Sequence, residues 1–263
     1  MADDAGGQRR SARSVPAAGA SAGRSGRYVP PSDVHAYPLT GLLEAIGRNT
    51  FAERQMSMLN AVADTDEAGA ARVFYAGNIH LLEGRCIAVI GARKATEMGR
   101  RRARQLGRQL AQAGVVVVSG LAEGIDTEAL SGAMEAGGKV VAVIGTPIDQ
   151  AYPAKNKALQ EAIYRDHLLI SQFPIGARVF PSNFPARNRT MAAISDASVV
   201  IEASDTSGTL HQAAECQKLG RWLVIAKSVK DDPALTWPAK FIGKPMTTIL
   251  ESTPQLLATI YGE

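Results

Sequence analysis

The chain has 263 residues, of which 46% are hydrophobic, enough for one sizeable domain with a full core and some additional segments. Its 29 basic and 25 acidic side chains leave a formal charge of +4, so where the cations sit matters more than their excess. No run of about 18 apolar residues is present, which argues against a membrane helix, and Cys86 and Cys216 lie far apart in apolar patterns without metal-ligand spacing, so reduced thiols and a cytoplasmic location are expected.

Residues 1–30 are rich in Gly, Ala, Ser and Arg and show no apolar period. Such a segment buries too little surface to offset its ordering entropy, and a disordered tail is expected. Residues 31–72 are expected to form a small helical lead-in. Leu39, Leu42, Leu43 and Ile46 make one stripe, and Phe51, Met58, Leu59 and Val62 a second. The main domain is assigned to residues 73–263, with a short strand over Arg72–Ala76 at its start.

The stretch from Cys86 to Asp126 sets the architecture. An apolar run (Ile87–Ile90) stops at Gly91. A helical pattern follows, with Gly99, Ala103, Leu106, Leu110 and Ala113 three and four residues apart, and then the β-branched run Val115–Val118. Two wholly apolar strands around one amphipathic helix form a βαβ unit of a parallel sheet covered on both faces. The alternation continues with strands at Val140–Ile144, Leu168–Ser171, Ala197–Ile201 and Trp222–Ala226. Helices are expected near Thr127–Glu135, Arg187–Ser195, Gly208–Leu219 and Pro254–Tyr261. The fold class is α/β: a doubly wound, mostly parallel Rossmann-like sheet with helices on both faces.

Gly91-Ala-Arg-Lys94 and Ser119-Gly-Leu-Ala-Glu-Gly-Ile-Asp126 are glycine-bearing turns between a strand and a helix. Ligands of open α/β sheets sit outside the carboxyl ends of the strands, where glycine admits a phosphate close to backbone N–H groups. This pattern points to an anion site. The G-x-G-x-x-G fingerprint is missing from the first turn, so no nicotinamide or flavin is expected. His35, His80, His167 and His211 are scattered without zinc spacing, and no nucleophilic Ser motif occurs. Neither a cofactor nor a catalytic residue is expected.

Five motifs follow one another in a fixed order: GARK (91–94), SGLAEGID (119–126), VIGTPIDQAYPAKN (143–156), FPARNRTMAAIS (184–195) and SGTL (207–210). In that order, over roughly residues 73–222, the chain resembles the DNA-processing protein A (DprA/Smf) family. The resemblance implies a Rossmann-like domain that binds single-stranded DNA without cutting it, protects incoming DNA during natural transformation and recombination, and helps load RecA. A RecA-type recombinase and a second copy of the chain are the protein partners it suggests.

The resemblance also selects site residues, each with a chemical reason. Arg93, followed by Lys94, matches the first-turn arginine, a guanidinium placed to fork onto a phosphate. Ser119, Gly120 and Gly124 match a second phosphate-binding turn, with Asp126 read as a helix N-cap. Arg187-Asn188-Arg189 matches the family's RNR, two cations at a helix start where the macrodipole favours acids, as an anionic partner would require. Asn183-Phe184 ends the preceding irregular loop, and Phe184 is expected to stack a base beside those cations. Ser207, Gly208 and Thr209 supply a third glycine turn. The run Arg100, Arg101, Arg102, Arg104 and Arg108 is read as a solvated face that could extend the track.

One alternative comes from a different class. Phosphoribohydrolases of the lysine-decarboxylase-like type act on nucleoside monophosphates and carry a Gly-Thr-x-x-Glu loop. Gly208-Thr209-Leu210-His211-Gln212 runs close to it, but Gln212 puts a neutral amide where the general acid or base would stand.

Overall fold

The computed structural model describes residues 26–48 and 71–263. One nine-stranded sheet runs through them, in the order β1-β2-β6-β5-β4-β3-β7-β8-β9. Its strands are β1 His35–Pro38, β2 Arg72–Gly77, β3 Cys86–Gly91, β4 Val116–Ser119, β5 Val140–Ile144, β6 Leu168–Ser171, β7 Ala197–Glu202, β8 Trp222–Ala226 and β9 Thr247–Leu250. The first two are antiparallel edge additions, and every pairing from β6 to β9 is parallel.

The α-helices among the described residues are α1 Leu39–Ala45, α2 Glu97–Gln112, α3 Ile125–Glu135, α4 Lys157–Asp166, α5 Asn183–Ala193, α6 Thr209–Lys218, α7 Lys227–Lys230 and α8 Thr253–Tyr261. None is long and apolar enough to cross a membrane. The sheet is doubly wound, mostly parallel and covered on both faces, as the apolar strands require.

The strands carry apolar residues on both sides, and the pleat divides them. Ala88, Ile90, Val118, Val141 and Val143 face α1, α5 and α6, where Leu39, Leu43, Met191 and Cys216 are buried. Ile87, Val89, Val117, Ala142 and Ile144 face α2, α3 and α8, meeting Leu106, Leu110, Leu130 and Leu256. Helices α2 and α3 pack backbone to backbone, because a Cβ on Gly107 would lie 2.2 Å from the Ala129 carbonyl oxygen. Both thiols are buried and free, and burial pushes each up to about 12.

At the amino ends of the strands one carboxylate ties four elements together. Asp196 accepts from Arg48 Nε at 2.9 Å, from the Cys86 N–H at 2.9 Å and from the Tyr261 hydroxyl at 2.9 Å. Burial alone would raise its pKa, but these donors, Arg48 foremost, hold it below the usual carboxylate range.

Several local expectations are corrected. A helical pattern is expected from Ser32, yet His35–Pro38 pairs with β2 as an edge strand, and the helix starts only at Leu39. The second expected stripe, Phe51 to Val62, lies outside the described residues. The end of the expected tail is anchored: Tyr28 donates to the Ile148 carbonyl at 2.8 Å, and Tyr164 donates to the Val29 carbonyl at 2.8 Å. Strand β9 has no counterpart in the sequence reading.

Candidate nucleic-acid interface

The chain proceeds from β3 through β4 and β5 to β6 on one side, then returns to place β7 against the other side of β3. Between β3 and β7 the winding reverses, and the loops leaving their carboxyl ends diverge to leave a crevice. A cleft of about 420 Å³ opens there. Its walls are the turn after β3 (Gly91, Arg93, Lys94), the first turns of α5 (Phe184, Arg187, Asn188) and the turn before α6 (Ser207, Gly208, Thr209). A second cleft of about 190 Å³ adjoins it, shares Arg93, Lys94, Phe184 and Arg187, and adds Gly120, Glu123, Gly145 and Tyr152.

Arg93 and Lys94 are exposed. The Arg93 guanidinium lies 5.1 Å from the centroid of the Phe184 ring, a cation–π contact that leaves its N–H edge available to an anion. The ring is half-buried and rests on Gly145, where a Cβ would come 2.7 Å from it. Phe184 is not in an extended loop as expected. It is the second residue of α5, followed by Pro185, a residue tolerated in the first turn of a helix because the N–H it lacks has no partner there.

Arg187 is therefore the fifth residue of α5 rather than at its start as expected. The side chain is buried, donates to the Val143 carbonyl at 2.7 Å and to the Gly120 carbonyl, and reaches Asn188 Oδ1 at 2.9 Å. Gly120 is glycine because a Cβ would fall 2.0 Å from this guanidinium. Burial lowers the Arg187 pKa, which the charge of Asp126 offsets and that of Arg93 reinforces. Arg187 thus supports the floor of the cleft from below. Arg189 points away, pairing with the buried Glu215 of α6 at 3.0 Å.

The second turn is likewise built from inside. Ser119 is buried and its hydroxyl donates to the Val89 carbonyl at 2.6 Å. Leu121 takes a left-handed φ of 56°, and its carbonyl accepts from Asn156 Nδ2 at 2.8 Å. Gly124 (φ 79°) directly precedes α3 and lies so close to the Arg93 backbone that a Cβ would clash. Asp126 is the second residue of α3 rather than its N-cap, accepting from the Ala122 N–H at 3.4 Å. Its carboxyl is raised above the usual range by burial, against the pull of Arg187. Asn183 is buried at the start of α5 and borders neither cleft.

The first turn differs from the expected phosphate cradle for a specific reason. Glu202, at the end of β7, accepts from the Thr96 N–H at 2.9 Å and from its hydroxyl at 2.7 Å. The amino end of α2 is thus occupied by the chain's own carboxylate, and the anion-binding capacity of this turn rests on the side chains of Arg93 and Lys94. At the third turn the Ser207 hydroxyl accepts from the Thr209 N–H at 3.2 Å. Gly208 is exposed with open space around it, and its carbonyl accepts from Asn188 at 3.4 Å. On α2, Arg101 pairs with Glu97, Arg104 with Glu128 and Glu135, and Arg108 with Glu135. Most of that basic face is internally balanced.

Sequence reasoning missed Glu202, Asn156 and Tyr152. Asn156 could have been found, since it closes the PAKN motif, whereas Glu202 ends a strand without any motif around it. Gln212 lines the large cleft but is buried, with Nε2 donating to the Ser198 hydroxyl at 3.0 Å. No cluster of His, Cys, Asp and Glu suited to a metal occurs among the described residues.

The fold and site define a class: an open α/β sheet with exposed cations and an aromatic ring at its switch point. The chain belongs to the DNA recombination-mediator protein A family, whose model matches residues 57–258. It is 40% identical over 149 residues to the DNA processing protein DprA of Streptococcus pneumoniae, covering 57% of this chain and 52% of that one. Against the Bacillus subtilis DNA processing protein DprA the identity is 31% over 173 residues, 65% of this chain and 58% of the relative. The chain thus spans about half the length of these curated relatives.

Solved structures resemble it as well. DNA processing protein A of Streptococcus pneumoniae superposes with a TM-score of 0.67 at 30% identity, over 80% of this chain and 78% of that one. The Helicobacter pylori protein, described for its single-stranded DNA binding mode, gives 0.63 at 25% identity, over 72% and 86%.

Proposed function

We propose that this chain binds single-stranded DNA, without cutting it and with little sequence preference, across the carboxyl edge of the sheet between β3 and β7. The observation that carries this reading is the juxtaposition of exposed Arg93 and Lys94 with the Phe184 ring at the mouth of the cleft. Cations that follow a backbone beside an aromatic face are what a single strand needs. The single-strand binding of the Helicobacter pylori relative supports the same ligand.

The roles of the individual residues follow their surroundings. Arg93 and Lys94 hold phosphates, and the open Gly208 turn with Ser207 and Thr209 forms the opposite bank. Asn188 connects that bank to Arg187. Arg187, Gly120, Ser119, Gly124 and Asn183 position the site from within, and Arg189 holds α5 to α6.

In the cell, on this reading, binding in the cytoplasm shields a strand entering by natural transformation or recombination. The strand is then delivered to a RecA-type recombinase, with a second copy of the chain as a further partner. No carboxylate stands at the Gln212 position, and its buried amide supports a binding role over phosphoribohydrolase chemistry.

Titration of labelled single-stranded and blunt duplex oligonucleotides of equal length, with AMP as competitor, tests the reading. Single strands are expected to bind tighter than duplex, and AMP to be left intact. Equal or tighter duplex binding, or release of adenine, would contradict it.

A further inference from the structure

We propose that Tyr152 is the ring on which a base stacks, and that the smaller cleft beside it is a base subsite of the single-strand track. The inference rests on the single-strand reading above and deepens it. Three neighbours already enclose Phe184. The Arg93 guanidinium lies over the ring at 5.1 Å, the Gly145 backbone lies against it, and the Tyr152 ring sits 5.5 Å away, tilted by 48°. They leave Phe184 half-buried, and the more exposed ring of the pair is Tyr152.

Tyr152 is 47% exposed, one of the exposed large hydrophobic side chains of the described residues. It is carried by the loop between β5 and α4, with Phe184 as its support from behind. A flat aromatic face held in place by a second ring is a preorganised platform.

The ring pair assigns the smaller cleft to a base, because Tyr152 lines that cleft and not the larger one. The smaller one includes Glu123, whose carboxylate pairs with Lys155 at 2.5 Å. Held by that pair, Glu123 forms part of the cleft wall with the Tyr152 and Phe184 rings. Arg93 and Lys94 border both clefts, so the phosphate stays over them while its base turns onto Tyr152. Any of the bases fits, because every base offers a π-face.

Binding of the full chain to an oligothymidine strand, and to a strand of equal length made of abasic sites, tests this. Tyr152→Ala should weaken the oligothymidine complex by roughly 5- to 150-fold, the range for one lost stack, with the salt dependence unchanged. Its affinity for the abasic strand should equal that of the parent chain, and Tyr152→Phe should bind both strands normally. Parent-like binding of oligothymidine by Tyr152→Ala would overturn the proposal. So would an equal loss on both strands, which marks a structural role. If the parent chain itself fails to bind single strands, the reading beneath the proposal fails instead.

Discussion

Two arginines, Arg93 and Arg187, both match family motifs yet behave differently because their solvent environments differ. Arg93 is exposed with its guanidinium over the Phe184 ring, whereas Arg187 is buried and engaged by two backbone carbonyls. Arg93→Ala should therefore leave the melting transition in place and flatten the log–log salt dependence of single-strand binding by about 0.7, the value of one lost phosphate contact. Arg187→Ala removes a buried cation and leaves Gly120 and Val143 carbonyls and Asp126 without it. The expected cost is about 3–5 kcal/mol of stability. Chemical melts run beside salt-dependent titrations of both variants check this. A normal melt for Arg187→Ala with a flatter slope would restore it as a phosphate ligand.

At the scale of elements, the strands were the most legible part of the sequence. Val140–Ile144, Leu168–Ser171 and Trp222–Ala226 have the bounds read from their apolar runs, because a strand buried on both faces has a composition that no loop shares. Elements whose stability comes from neighbours were not legible. Strand β9 (Thr247–Leu250) is half-buried and held by pairing to β8, and β1 has every residue exposed and is held by β2. Helix α5 begins four residues earlier than expected, at Asn183, since Pro185 reads as a breaker yet is permitted in a first turn. That displacement turned Phe184 from a loop residue into a helix residue and moved Arg187 into the core. For the site, the motifs located the loops, but could not tell which side chains face the cleft. Gly120, expected in a phosphate-binding turn, makes room for Arg187, and Gly145 makes room for Phe184.

The whole molecule separates its functions by end: the Asp196 clasp at the amino ends of the strands holds the fold, and the clefts at the carboxyl ends face the ligand. One pH-sensitive group belongs to the fold alone. His167 is buried at the start of β6, and burial, with Lys139 nearby, holds its pKa below the ordinary imidazole value. The folded state then binds fewer protons at this ring than the unfolded chain. Its contribution is complete above the ordinary imidazole value and is lost as the pH falls below it. Denaturant melts between about pH 7.5 and 5 should show stability falling with acid, and His167→Gln should reduce that fall. The central claim, however, is one of place: a single strand crosses the sheet where β3 and β7 part. Photo-cross-linking of the full chain to a halogenated deoxyuridine strand, with the attached peptides identified by mass, tests it most directly. Cross-links are expected on the peptides that carry Tyr152 and Phe184. Cross-links confined to the arginine face of α2, with those two peptides unmodified, would contradict the account.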